Sequence, residues 1–137
     1  MDKENFTIER FSNAYIGDDA AVAGKMVFSK DIFAQNSHFK LGWLSLEETG
    51  YKAMIVNFSD TIVMNAKPKF ALLGLSLPKS FTPHQISELS RGINRACEEF
   101  GVKIIGGDTI SNPILNISVS VIGELKGRAV LRKNAKF

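Results

Sequence analysis

The clearest hydrophobic pattern runs from residue 82 to 101. Ile86, Leu89, Ile93, Ala96, Cys97 and Phe100 recur at helical spacing. Thr82 stands before them as an N-cap, Pro83 takes the first helical position, and Gln85 completes a capping box. Gly101 follows as a natural terminator. A second helix is predicted over 45–66, capped by Ser45 with Glu48 three residues on and stopped by Lys67 and Pro68. Residues 114–122 change to a period of two: Leu115, Ile117, Val119 and Val121 share one face, Asn116, Ser118 and Ser120 the other. That is a strand. Residues 70–77 (FALLGLSL) form a strand that is apolar on both faces, and 102–105 a short apolar strand. Residues 21–29 read as strand, turn at Gly24 and Lys25, strand; residues 5–14 read as a short helix. Strands and helices interleave, so the expected class is α/β (or α+β), a mixed sheet covered by helices on one side.

Composition narrows the classes. At 137 residues the chain fits one domain with a real core, and its 45% hydrophobic and 23% charged residues suit a soluble globular protein. No apolar run reaches the roughly 18 residues needed to span a membrane. The start, MDKENFTIER, does not read as a signal peptide. Cys97 is the only cysteine, which excludes an internal disulfide and suits a reducing cytoplasm. Five of the 17 Lys and Arg residues fall from Lys126 onward, where there is no acid. The rest of the chain holds all 14 acidic residues and is slightly negative. The net +3 therefore reflects a basic tail, and no basic stripe with interleaved aromatics points to nucleic acid. Residues 1–125 are expected to form the domain and 126–137 a linker. Cys97 and Met64 read as core, His84 as a solvated first-turn residue, and Trp43 as a packing anchor.

The acids carry the candidate chemistry. Asn57, Asp60 and Thr61 fall on one face of the apolar 45–66 helix. A carboxylate buried there needs a partner, and Lys52 is too distant along the helix to be one. Asp18, Asp19, Asp31 and Asp108 lie at element ends or beside a Gly pair. Asp18, Asp19 and Asp108 read as turn formers when taken singly. Taken together with Asp60, and with no Cys/His set, they point to a hard cation, Mg²⁺ above all, working with substrate phosphates. Neither G-x-x-x-x-G-K-[ST] nor G-x-G-x-x-G occurs. Gly106, Gly107, Asp108 and Thr109 follow a predicted strand and could turn backbone N–H groups to a phosphate.

Several segments, in order and at conserved spacing, resemble thiamine-monophosphate kinase: IGDDAAV at 16–22, SKDI at 29–32, NSHF at 36–39, GYKAMIVNFSDTIVMNAKP at 50–68, LGLSLP at 73–78 and IIGGDTISNPILNISVSVIGE at 104–124. GRAVLRKNAK at 127–136 is similar to the point where that family's first domain passes to its second. The resemblance implies phosphate transfer from ATP to thiamine monophosphate, direct and in line, assisted by Mg²⁺. It implies metal contacts at Asp19, Ser29, Lys30, Asp31, Asp60 and Asp108, an ATP contact at Gly107 and Asp108, and a substrate contact at His38. Asp18 belongs to the same GDD motif. Lys30 departs from the family's usual Thr. The resemblance also implies a homodimer whose strands complete a shared β-barrel, and a second domain that this chain lacks, so the isolated chain is expected to be inactive. Two other readings share these motifs. One is a related ATP-dependent enzyme of the aminoimidazole ribonucleotide or selenophosphate synthetase type; the other is a non-catalytic dimerisation module.

Overall fold

The computed structural model describes residues 2–11, 13–16, 20–35 and 40–128. The elements, in chain order, are α1 (Lys3–Glu9), β1 (Ala21–Ala23), β2 (Met26–Ala34), α2 (Leu46–Val63), β3 (Ala66–Leu77), α3 (Pro83–Phe100), β4 (Lys103–Ser111) and β5 (Asn116–Leu125). The five strands form one mixed sheet in the order β1-β2-β5-β3-β4. Every neighbouring pair is antiparallel except β3 and β4, which run parallel because α3 carries the chain back between them. The expected class holds.

Both long helices start where their caps were read. Ser45 and Glu48, and Thr82 and Gln85, each close a reciprocal capping box, and Gly101 ends α3 in the left-handed conformation. Several boundaries differ from expectation. The first helix spans Lys3–Glu9 because Asp2 caps it, accepting from the N–H groups of Glu4 and Asn5. Helix α2 stops at Met64, and Asn65 turns the chain at φ 61°. Lys67 and Pro68 therefore do not end the helix. They lie inside β3, where the pairing with β5 shifts between Pro68 and Phe70 and absorbs the missing N–H of the proline. Strand β4 is also longer than its apolar start, continuing through 106–109 to Ser111.

The core forms where α2 lies across β2, β5 and β3, with α3 packed beside it. Met54 and Phe58 from α2, Leu89, Ile93, Ala96 and Cys97 from α3, and Leu115, Ile117, Val119 and Val121 from the last strand and its approach make one buried cluster. The helices cross closely because a Cβ at Gly92 would overlap the Glu47 carbonyl. A smaller cluster, Ala20, Val27, Met64 and Ala66, fills the end of the sheet beneath the end of α2. Trp43 is no packing anchor: it sits 69% exposed in the turn before α2. Among the described residues no helix lies over the other sheet face, and Phe28, Ile32, Phe70, Leu72 and Ile110 are exposed.

Candidate functional site

Alternation along β2 sorts its candidate residues. Val27 and Ser29 are buried and Asp31 half-buried on the helix side, whereas Lys30 is exposed on the opposite side. Helix α2 brings Asn57 to the same place. Asp31, Phe33, Ala53, Val56 and Asn57 line a cleft of about 240 Å³ between strand and helix. The Asn57 amide nitrogen donates to the Ala53 carbonyl at 3.0 Å. Its Oδ1, and Ser29 Oγ, are buried with no hydrogen-bond partner among the described residues. An unmatched buried oxygen costs about 1–3 kcal/mol, so such atoms call for a ligand or a strain-bearing role.

Asp60 lies one turn beyond Asn57 and is half-buried, at the edge of the core and not within it. The deeply buried polar groups of the stripe are its neighbours, Asn57 and Thr61, whose hydroxyl donates to the Asn57 carbonyl at 3.4 Å. Both interior polar groups bond back to the helix's own carbonyls, Asn57 through its amide nitrogen alone.

Asp108 stands apart. It is exposed on β4 and accepts the N–H of Thr109 at 2.9 Å. With Gly74, Ser76, Ile110, Asn116 and Ser118 it surrounds a hollow of about 200 Å³. The Gly-Gly step is not a loop after a strand; it lies within β4, just past an irregularity in the β3–β4 pairing. Gly107 has φ 148°, and a Cβ there would overlap the Leu73 backbone, so only glycine fits. Strand β4 is last in the sheet order, so among the described residues no strand lies beside the backbone groups of its outer edge.

The register fixes how these parts relate. Asp31 pairs with Val119, Val119 with Leu73, and Leu73 with Gly107. Asp31 and the Asp108 region are therefore three strand spacings apart, about 14 Å. Asp31 faces the helices, whereas Asp108 shares its hollow with Gly74, Asn116 and Ser118. Among the described residues no three Asp, Glu, His or Cys side chains converge on a point. Asp18, Asp19 and His38 lie outside the described residues. Asn116 was not singled out as a site residue in the sequence. Its Oδ1 is also buried without a described partner, and the polar side of the 114–122 alternation was the signal that could have flagged it.

A mixed sheet under two helices, with oxygen donors gathered at β2 and α2 and Asp108 beside Gly107 on β4, defines a layered α/β domain. The chain belongs to the family described as AIR synthase related protein, N-terminal domain, whose model matches residues 17–125. Among its relatives is the thiamine-monophosphate kinase of Bacillus subtilis, 40% identical over 128 residues, which cover 88% of this chain and 39% of that one. The thiamine-monophosphate kinase of Corynebacterium glutamicum is 36% identical over 125 residues, covering 87% and 38%. The fold matches the solved structure of AaThiL complexed with AMPPCP and TMP with a TM-score of 0.88 at 29% identity, over 98% of this chain and 44% of that one. It matches a HypE-HypF complex at 0.83 and 29%, over 97% and 45%. The chain thus spans about two fifths of the length of the kinases it matches. Among the described residues no helix is long and apolar enough to cross a membrane.

Proposed function

We propose that this chain is the ATP- and Mg²⁺-binding, dimerising first domain of a cytoplasmic thiamine-monophosphate kinase, which transfers the γ-phosphate of ATP to thiamine monophosphate to give thiamine diphosphate. The observation that carries the reading is the 40% identity to such a kinase across 128 residues. It is supported by oxygen donors of the right kind at the matching positions. The donor set fits a hard cation: the Asp31 carboxylate, with the unpartnered Ser29 Oγ and Asn57 Oδ1 on the same side of the sheet. In this reading Asp19, Ser29, Lys30, Asp31, Asp60 and Asp108 hold Mg²⁺, Gly107 and Asp108 contact ATP, and His38 contacts the substrate. Lys30 would contribute through its backbone carbonyl, since its side chain is on the far side of the strand from Ser29 and Asp31.

The bound cations would neutralise phosphate charge and favour in-line transfer. The chain's own part is to hold carboxylates at fixed positions on rigid elements. Gly107, lacking a Cβ, lets β4 press against β3 and sets Asp108 at the sheet edge. No side-chain nucleophile is needed. Within one copy Asp31 and Asp108 cannot share an ion across about 14 Å of sheet. The homodimer, with its strands in a shared barrel over the exposed apolar face, would cover the side of the sheet that carries Asp108, so Asp31 and Asp108 would hold separate ions. Residues 126–137 would then lead to a second domain that completes the site.

Calorimetry with a non-hydrolysable ATP analogue tests the reading. Heat that depends on Mg²⁺ and disappears in Asp31→Asn supports it. Binding indifferent to Mg²⁺ and to Asp31 refutes it.

A further inference from the structure

The sheet face away from the helices is not uniformly apolar. Alternation along β2 puts Lys30 on it, between Phe28 and Ile32. The register sets Lys30 opposite Ser120, Ser120 opposite Leu72, and Leu72 opposite Gly106. Asp108 lies two residues further along β4, in the row of Ile32, Ser118 and Gly74. One flank of the face therefore carries a cation and the other a carboxylate, three strand spacings or about 14 Å apart. Lys67 and Glu124, toward one end, stand opposite each other in the register and can answer one another within a copy. Lys30 and Asp108 are too far apart to do so, and neither forms an ion pair among the described residues. The hollow beside Asp108, lined by Gly74, Ser76, Ile110, Asn116 and Ser118, holds a carboxylate and no cation.

We infer that a second copy of this chain covers this face about a two-fold axis running along the strands, and that Lys30 of each copy pairs with Asp108 of the other. The inference rests on the homodimer of the proposed function and adds its orientation and a contact. Self-complementarity selects the axis. A two-fold along the strands lays β2 of one copy over β4 of the other, cation over carboxylate, twice in each dimer. A two-fold across the strands lays β2 over β2, lysine over lysine. Facing sheets lie about 10 Å apart, and the two residues are offset by about 7 Å along the strands. Both side chains point into the gap. The long stem of Lys30 can cross it while its methylenes lie against Phe28 and Ile32. An ion held by Asp108 then meets a fixed positive charge supplied by the second copy.

Charge exchange tests the pairing without reference to catalysis. Dimer dissociation is measured by sedimentation in metal-free buffer, with circular dichroism confirming that each variant is folded. Lys30→Asp sets acid against acid at both contacts, and Asp108→Lys sets base against base. Each should dimerise about tenfold or more weakly than the wild type. The double variant Lys30→Asp with Asp108→Lys restores opposite charges at both contacts and should recover the dimer. So should an equal mixture of the two single variants, because both contacts of the mixed dimer are then attractive. Wild-type affinity in both single variants overturns the inference and leaves the homodimer standing. Weakened single variants that neither combination rescues also overturn it, because the losses are then local. A wild-type chain that stays monomeric at tens of micromolar removes the homodimer and the pairing together. Rescue in a protein that binds no nucleotide with Mg²⁺ would leave the pairing standing and remove the kinase reading.

Discussion

Tyr51 links the two long helices by its polar tip. Its hydroxyl donates to Glu99 at 2.5 Å while the Arg95 guanidinium lies over its ring at 4.1 Å. The hydrogen bond to Glu99 holds the phenol's pKa above its ordinary value, with desolvation and the carboxylate's charge adding to the rise. The contact is therefore present at neutral pH and is lost as pH rises through the raised pKa. Ultraviolet titration should show the Tyr51 phenol ionising at higher pH than in Glu99→Gln. Burial pushes the Cys97 thiol up as well, so it should resist thiol reagents at pH 7 until the protein is unfolded. Single residues were unevenly legible. Cys97 and Met64 read as core from their place among apolar residues, and both are buried. Trp43 misled because bulk alone says nothing of what stands beside a ring. Asp60 misled by degree: helical spacing gives the face a residue occupies, but how deeply that face is covered depends on β2 and β5, which are distant in sequence.

At the scale of elements, caps were legible and ends were not. A cap is a local exchange of hydrogen bonds within four residues, so Ser45 with Glu48 and Thr82 with Gln85 could be read directly. Thr82→Ala should cost about 1 kcal/mol in denaturant unfolding. Strand ends depend on partners. Strand β4 runs through its glycines only because β3 lies alongside to pair with them. The crossing of α2 and α3 was not legible either, since Gly50 and Gly92 have no local signature. Gly92→Ala must push Glu47 away, and it should destabilise the fold by about 1–3 kcal/mol, seen as a lowered thermal midpoint.

For the whole molecule, the family and sheet class came through from ordered motifs, while the site's layout did not. Nothing in the spacing of the aspartates places Asp31 and Asp108 on strands separated by two others. That separation makes a sharp prediction. Asp31→Asn and Asp108→Asn should each lose only part of the Mn²⁺ binding, and an equal mixture of the two should bind no more than their average. Light scattering at tens of micromolar should give a dimer mass, and the isolated chain should show no turnover of thiamine monophosphate. The strand order has one more consequence. Strand β5 is the final element of the described chain, yet it is wedged between β2 and β3 as the sheet's middle plank. A nascent chain cannot zip this sheet from its start; β1 and β2 must wait, unjoined to the rest, until Leu125 has left the ribosome. Premature termination before Asn116 would remove the keystone and leave two loose ribbons, a species far more prone to clump than one that had merely lost a rim.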